Sequence, residues 1–277
     1  MPSPEVMSWV RTRFMPHIWC PGCGHGVIMH ALIRALVSLN ADRTKTVVAS
    51  GIGCSSRMAG YINACTLHST HGRSLAFATG IKLHKPELTV INVMGDGDCT
   101  AIGGNHFIHA CRRNIDITAI VMNNNIYGMT GGQASPTTPF GSFATTTPYG
   151  AIDPTFDICK LAEGAGASYV ARTTIANPKQ AETFIANGIK KKGFAVIEIV
   201  THCHTQFGRK NNRRLPIENY KFFKDNSIPW AVAKDKSPEE LKGKIICGEF
   251  VNRDTPEYTA QYQKLVIDKA QAKGGAE

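Results

Sequence analysis

The chain has 277 residues, of which 43% are hydrophobic, and a formal net charge of +10 at pH 7. No apolar stretch approaches the ~18 residues of a membrane span, and the N-terminus lacks the pattern of a signal peptide, so we expect a cytoplasmic, globular protein with no membrane partner. The densest basic run, Phe207 to Leu215, has no nucleic-acid motif, so we expect no nucleic-acid partner; an anionic substrate or an acidic protein partner stays open.

Apolar residues at helical spacing alternate with short apolar runs along the chain. The predicted elements are a helix at Val27–Leu39, a strand ending at Ser50, a helix at Gly72–His84, a strand at Leu88–Met94, a helix at Thr100–Arg112, a strand at Ile115–Met122, a strand near Ala167–Arg172, a helix at Asn177–Lys192 and a strand at Phe194–Val200. From about Thr201 we expect a basic, irregular segment and then a polar helical tail. This alternation predicts an α/β fold with a mostly parallel sheet flanked by helices.

Four chemically active residues follow four of these strands. Cys54, Asp96, Asn124 and Cys203 each lie two to four residues beyond a predicted strand end. Ligands of such sheets bind outside the carboxyl ends of the strands, so we expect the four residues to share one edge. The long loop Gly128–Pro154 is more typical of a functional or interface loop than of a linker.

The acidic and amide side chains at this edge predict a magnesium diphosphate site. Glycines beside Asp96 let backbone N–H groups approach an anion, while carboxylate and amide oxygens suit Mg²⁺. Asp96, the Asn124 side chain and one nearby backbone carbonyl would suffice as protein ligands. The alternative is two ordinary turns, because Gly, Asp and Asn favour turns in any protein.

The nine cysteines are an odd number and do not suggest a disulfide scaffold. Cys20 and Cys23 have the spacing of a metal-ligand pair, and Cys54 and Cys203 can complete four sulfurs at the same edge. Spacing alone does not separate zinc from a [4Fe-4S] cluster. We expect the remaining cysteines to be small buried or incidental thiols; these are Cys65, Cys99, Cys111, Cys159 and Cys247.

The chain resembles a known family over about Ile18 to Arg214. The motifs that carry the resemblance are "CPGCGHG", "GIGCSSR", "THGRSLAFATG", "GDGDCTAIGGNH", "NNNIYGMTGGQASPTT", "FDICKLAEGAGASYVAR" and "HCHTQFGR". In this order they resemble the beta subunits of 2-oxoacid:ferredoxin oxidoreductases, and they are most similar to the 2-oxoglutarate branch. The resemblance implies the diphosphate half of a thiamine diphosphate-binding fold at residues 1–214, with residues 215–277 as an extension packed on the same domain or on a partner.

The resemblance also implies roles for individual residues. It implies Mg²⁺ ligation by Asp96, Asn124 and the Ile126 carbonyl. The residues implied to contact thiamine diphosphate are Ile52, Gly53, Cys54, Ser55, His71, Gly95, Gly97, Asp98, Gly128, Met129 and Thr130. The residues implied to bind one [4Fe-4S] cluster are Cys20, Cys23, Cys54 and Cys203.

The implied reaction is the coenzyme A-dependent oxidative decarboxylation of 2-oxoglutarate to succinyl-CoA and CO₂. Electrons pass through the cluster to ferredoxin, and with a sufficiently reducing ferredoxin the reaction can run backward and fix CO₂. Ferredoxins are typically acidic, so the positive charge of this chain would speed their encounter. We also expect an alpha subunit that brings the glutamate needed to activate the thiamine, in a hetero-oligomer with two copies of each subunit.

Three residues are candidates for contact with the reacting substrate. Arg57 is the candidate for binding the distal carboxylate of 2-oxoglutarate, because a guanidinium can bind a carboxylate through two hydrogen bonds. Met129 would add an apolar wall beside the thiazolium, and His71 is assigned only through the "THGR" match.

Other functions remain possible at this stage. The same chemistry could act on pyruvate or another 2-oxoacid. A thiamine-dependent decarboxylase or carboligase without redox chemistry would leave the four placed cysteines unexplained. A zinc-stabilised nucleic-acid-binding module would leave Asp96 and Asn124 without a task.

Overall fold

The computed structural model describes residues 3–274, and its strands form one large sheet and one small ribbon. The strands are β1 (Thr46–Ser50), β2 (Cys65–His68), β3 (Thr89–Gly95), β4 (Thr118–Asn123), β5 (Ile126–Tyr127), β6 (Gln133–Ala134), β7 (Tyr169–Thr174), β8 (Ala195–Val200), β9 (Ser227–Pro229) and β10 (Ile245–Asn252).

The helices lie between these strands and at both ends of the described chain. They are α1 (Pro4–Ser8), α2 (His25–Ser38), α3 (Met58–Tyr61), α4 (Ser74–His84), α5 (Asp96–Thr100), α6 (Gly104–Arg113), α7 (Ile158–Gly164), α8 (Pro178–Lys190), α9 (Pro216–Asn226), α10 (Trp230–Ala233), α11 (Tyr258–Tyr262) and α12 (Asp268–Gly274). No helix within residues 3–274 is long and apolar enough to cross a membrane.

The large sheet has the strand order β2-β1-β3-β4-β8-β7-β10-β9. All neighbouring pairs are parallel except β7 and β10, which run antiparallel. The predicted α/β fold with a mostly parallel sheet is therefore confirmed. Strands β5 and β6 form a separate antiparallel ribbon. Strand β5 lies just before the long Gly128–Pro154 loop, and β6 lies within it.

Helices cover both faces of the sheet, and alternate residues of the central strands contact opposite layers. Ile120 and Met122 of β4 pack in the layer that contains α2 and α8, whereas Ala119 and Val121 pack in the layer that contains α4, α6 and α7. Burial on both sides explains why these strands are continuous apolar runs rather than alternating ones.

Two predicted elements differ from the structure. The single helix expected at Thr100–Arg112 is instead the two helices α5 and α6, separated by a turn at residues 101–103. The turn lies so close to the preceding helix that a Cβ on Gly103 would be 2.2 Å from the backbone oxygen of Asp98. A continuous helix through this point would require a different backbone path.

The sequence suggested an irregular segment after Thr201, and the structure shows that this prediction was wrong. It contains α9 and α10, and it adds β9 and β10 to the large sheet through the antiparallel pairing of β10 with β7. The expected helical tail is present as α11 and α12 within the described residues.

Candidate active site at the carboxyl edge of the sheet

The four residues predicted to share one edge do so. Cys54, Asp96, Asn124 and Cys203 follow β1, β3, β4 and β8, which are neighbours in the sheet. Their side chains line two adjoining cavities, which we call the acidic cavity and the cysteine cavity. The two cavities share five lining residues, namely His25, Cys54, Asn124, Gly128 and Met129.

The acidic cavity is lined by every residue that the sequence analysis assigned to thiamine diphosphate or magnesium. These are Ile52, Gly53, Cys54, Ser55, His71, Gly95, Asp96, Gly97, Asp98, Asn124, Ile126, Gly128, Met129 and Thr130. Of the four cysteines assigned to the cluster, Cys54 is the one that also lines this cavity. Three lining residues were not anticipated, namely His25, Met122 and Tyr127.

Asp96 is buried and is held by hydroxyl groups from the loop after β6. Its Oδ2 accepts hydrogen bonds from Ser135 Oγ at 2.5 Å and Thr137 Oγ1 at 2.7 Å, and its Oδ1 faces the backbone N–H of Asn124 at 3.4 Å. Burial raises the pKa of Asp96, and the two hydroxyl bonds partly offset this rise. A carboxylate in this position gains stability when a cation binds beside it.

Asp98 is also buried, and it organises the opposite wall of the acidic cavity. Its Oδ1 lies 2.6 Å from His71 Nδ1 and accepts the backbone N–H of Gly72 at 2.6 Å. Burial raises the pKa of Asp98, while the Gly72 N–H and His71 lower it. Its Oδ2 has no hydrogen-bond partner among the residues described, which leaves one buried acceptor free for a bound group.

The glycines of this cavity are required by close approach. A Cβ on Gly97 would lie 2.3 Å from the Tyr127 ring, and a Cβ on Gly51 would lie 2.2 Å from Asp98 Oδ2. Gly53 has φ +120°, where a side chain is strained. The cavity is therefore formed by backbone that only glycine permits, which suits close contact with a diphosphate.

The cysteine cavity contains all four cysteines that were proposed as ligands, Cys20, Cys23, Cys54 and Cys203. Across the described chain, no three of these sulfurs lie within 4.8 Å of one another. A tetrahedral zinc with Zn–S bonds of 2.3 Å would bring its sulfurs to about 3.8 Å apart. This wider frame, around a cavity of about 360 Å³, fits an iron–sulfur cluster better than a single zinc ion.

Two thiols of the cysteine cavity, those of Cys23 and Cys54, resist deprotonation on their own. Burial, and then the charges of the neighbouring cysteines, raise the pKa of Cys54 to about 12. Burial also raises the pKa of Cys23, which the backbone N–H of His25 partly offsets. Thiolates are therefore stable here only beside positive metal centres, and metal loading would release protons.

Arg57 lies outside the walls of both cavities, so the structure does not bring this candidate together with the others. Its guanidinium carbon lies 5.9 Å from the centre of the Tyr61 ring. Arg57 pairs with no carboxylate in the described part of the chain, and its buried Nε has no partner there. Binding of the substrate carboxylate by Arg57 therefore stays a prediction.

A second polar cluster lies deeper in the sheet. Asp157, Cys159 and Glu198 bring three potential metal ligands within 4.8 Å of one another. However, Arg172 donates to Asp157 and to Glu198, at 2.5 Å and 2.7 Å. The guanidinium already neutralises both carboxylates, so this cluster is an ion-pair network and not a cation site.

The five cysteines outside the cysteine cavity are free thiols. Cys99, Cys111, Cys159 and Cys247 are buried, as expected of small core side chains, while Cys65 at the start of β2 is exposed.

Comparisons with known proteins agree with this geometry. Residues 51–199 match the family described as "Thiamine pyrophosphate enzyme, C-terminal TPP binding domain". The 2-oxoglutarate synthase subunit KorB of Methanocaldococcus jannaschii is 54% identical over 94% of this chain and 97% of its own length. The protein of the same name from Methanothermobacter thermautotrophicus is 48% identical over 95% of this chain and 92% of its own length.

A solved structure shares the whole fold. The 2-oxoglutarate:ferredoxin oxidoreductase from Magnetococcus marinus, with 2-oxoglutarate, coenzyme A and succinyl-CoA bound, matches with a TM-score of 0.83 and 31% identity, covering 100% of this chain and 97% of that chain. The chain therefore belongs to the thiamine pyrophosphate enzymes and, among them, to the beta subunits of the 2-oxoacid:ferredoxin oxidoreductases, in the 2-oxoglutarate branch.

Proposed function

We propose that this chain is the beta subunit of a 2-oxoglutarate:ferredoxin oxidoreductase. The complex converts 2-oxoglutarate and coenzyme A to succinyl-CoA and CO₂ and passes the electrons to ferredoxin. The proposal is supported by family membership and by the joining of the acidic and cysteine cavities in one chain.

The observation that carries the proposal is the thin wall between the two cavities. Gly128 belongs to both walls, and a Cβ placed on it would lie 3.2 Å from Cys203 Sγ and 3.7 Å from Cys54 Sγ. The backbone of this loop thus passes directly against the sulfurs. A decarboxylase without redox chemistry would have no use for a cavity lined by four cysteines beside its cofactor cavity.

In the acidic cavity, Asp96, the Asn124 side chain and the Ile126 carbonyl would hold Mg²⁺, whose charge would favour binding of the diphosphate. Asp96 is kept in place by Ser135 and Thr137, and Asn124 by the contact of its Oδ1 with the Ile126 N–H at 3.3 Å. Ser55, Gly97, Asp98 and Thr130 line the space for the rest of the cofactor. When bound, thiamine diphosphate supplies the carbanion that attacks the 2-oxo carbon.

In the cysteine cavity, Cys20, Cys23, Cys54 and Cys203 hold one [4Fe-4S] cluster. Cys20 is exposed whereas Cys203 is buried, so one end of this cavity opens toward solvent. Ferredoxin docks near this open end, and the net positive charge of the chain as a whole favours an acidic partner.

The alpha subunit covers the acidic cavity and brings the activating glutamate. Large apolar side chains in the Gly128–Pro154 loop are exposed as a protein interface would require; Phe140 is 73% exposed, Tyr149 96% and Ile152 81%. Two copies of each subunit form the hetero-oligomer.

The decisive experiment is the metal and cofactor content of the chain purified anaerobically with its partner. We expect about four irons and four sulfides per chain, together with Mg²⁺ and thiamine diphosphate. Cys203→Ser should lose the iron, and Cys65→Ser, at an exposed thiol outside the cavity, should keep it. Zinc without iron would contradict the electron-transfer mechanism, even if thiamine diphosphate were bound.

A further inference from the structure

His25 is a buried histidine between the two cavities. It is the first residue of α2, directly after the Cys20–Cys23 loop, and only 2% of its surface is exposed. It lines both the acidic and the cysteine cavity. No role follows for it from the motif "CPGCGHG" alone.

Neither ring nitrogen of His25 has a hydrogen-bond partner among the residues 3–274. A buried polar group left without a partner destabilises the folded protein. A fully buried imidazole with two unpaired nitrogens is therefore expected to face a group that occupies one of the cavities.

Two aromatic neighbours of His25 bind the backbone of the cysteine loops. The indole N–H of Trp19, whose ring lies 5.7 Å from that of His25, donates to the backbone oxygen of Cys54 at 2.6 Å. His202 directs its Nε2 to the backbone oxygen of Gly22 at 3.1 Å. The aromatic neighbours of His25 thus position the cysteine loops and leave His25 itself free.

The local geometry places His25 with the sulfurs. Its backbone N–H faces the Cys23 thiol, and His25 stands at the N-terminus of the 14-residue helix α2, whose dipole favours negative charge. An imidazole carries at least one N–H in either protonation state, and sulfide and thiolate sulfurs of a cluster are acceptors.

We infer that His25 donates a side-chain hydrogen bond to a sulfur of the [4Fe-4S] cluster. This inference rests on the proposed function, because it requires the cluster in the cysteine cavity. Hydrogen bonds to cluster sulfurs set reduction potentials by stabilising the more negative, reduced state. His25 accordingly raises the potential of the cluster and makes it a better electron acceptor from the thiamine side.

The test is the midpoint potential of the cluster in the purified holoenzyme, followed by EPR during a redox titration. His25→Phe, which removes both nitrogens and keeps a ring, should shift the potential to more negative values. His25→Asn and His25→Gln place an amide N–H near the positions of Nδ1 and Nε2, and one of them should restore the wild-type potential. His30→Phe, at an exposed histidine of the same helix, is the matched control and should leave the potential unchanged.

The inference is overturned if His25→Phe keeps its iron and its potential equals that of the wild type. If His25→Phe loses the cluster, pulsed EPR of the reduced wild-type enzyme labelled with ¹⁵N-histidine decides. A weak ¹⁵N coupling that disappears in the amide variant that keeps the cluster supports the hydrogen bond, and its absence in the wild type refutes it. A wild-type enzyme without iron would instead refute the proposed function, so the two failures are distinguishable.

Discussion

The Asp96 carboxylate depends on hydroxyl donors that lie some forty residues away along the chain. Thr137 Oγ1 and Ser135 Oγ both contact Oδ2, with sequence separations of 41 and 39 residues. Replacing a group that orients a metal ligand typically weakens metal binding by about 10- to 100-fold. At the scale of the residue, these hydroxyls therefore belong to the magnesium site that we propose.

Replacing Thr137 tests this role. We expect Thr137→Val to raise the Mg²⁺ concentration needed for thiamine diphosphate binding by about 10- to 100-fold, because Asp96 loses one of the two hydroxyl hydrogen bonds that orient it. The measurement is cofactor affinity as a function of Mg²⁺ concentration in the assembled enzyme. Thr183→Val, at an exposed threonine of α8, is the control, and an equal loss in both variants would contradict the assignment.

Arg57 is the residue for which substrate discrimination is predicted. Arg57→Met should lower kcat/KM for 2-oxoglutarate by roughly 10- to 150-fold, which corresponds to about 1.5–3 kcal/mol for hydrogen bonds to a charged group. Pyruvate lacks the distal carboxylate, so its turnover should change little. Steady-state kinetics with both substrates provide the measurement. Equal losses on the two substrates would show that Arg57 acts through the structure around Tyr61 and not on the substrate.

Residue types and strand ends were enough to predict that four key side chains share one edge of the sheet, and the family resemblance supplied most of the other residues that line the acidic cavity. Asp96, Asn124, Cys54 and Cys203 follow buried strands, so the sheet topology alone brings these four together. Ser135, Thr137 and His25 could not be found in this way. Serine and threonine are common in loops, and a histidine beside a cysteine pair acquires its meaning only when its unpaired nitrogens and its burial are known.

At the scale of the element, the break between α5 and α6 positions Asp98. The turn depends on Gly103, where a Cβ would meet only backbone atoms, the oxygens of Asp98 at 2.2 Å, Gly72 at 3.0 Å and Cys99 at 3.2 Å. Backbone atoms cannot move aside as a flexible side chain can. The same turn holds the Gly72 segment, whose N–H binds Asp98.

Two adjacent glycines allow a matched test of this break. Gly103→Ala should destabilise the protein by about 1–3 kcal/mol and weaken cofactor binding, because the α5 backbone must shift. Gly104→Ala has no atom within 4 Å of the new Cβ and starts α6, so it should be neutral or stabilising by up to about 1 kcal/mol. Denaturant unfolding of both variants is the measurement. A Gly103→Ala protein as stable as Gly104→Ala would show that the turn is adaptable.

The strands of the large sheet that the sequence missed are those without two-sided burial. Strand β10 has mostly half-buried residues, contains Gly248 and carries a register shift between Glu249 and Val251, so it lacks both a continuous apolar run and a clean alternation. Strand β2 lies at the edge of the sheet and is also partly exposed. Central strands such as β4 and β8, buried at every position, were predicted within a few residues.

At the scale of the whole molecule, the chain has one large sheet, and its acidic cavity is bordered by exposed apolar side chains. Ile52 is 43% exposed and Met129 is 47% exposed, and both line this cavity. A cofactor bound here only through its diphosphate would leave the apolar surface of its rings exposed to water. The missing cover is the role that we assign to the alpha subunit.

This arrangement predicts that the isolated chain binds thiamine diphosphate weakly. Leaving about 100 Å² of apolar cofactor surface in water forfeits about 2.5 kcal/mol, which corresponds to a roughly 70-fold higher Kd. Calorimetric titration at fixed Mg²⁺, with the isolated chain and with the reconstituted complex, measures the difference. Asp96→Asn in the complex gives the reference for loss of the magnesium ligand itself. Equal affinity of the chain and the complex would mean that this subunit encloses the cofactor without help, and would contradict the covering role assigned to the alpha subunit.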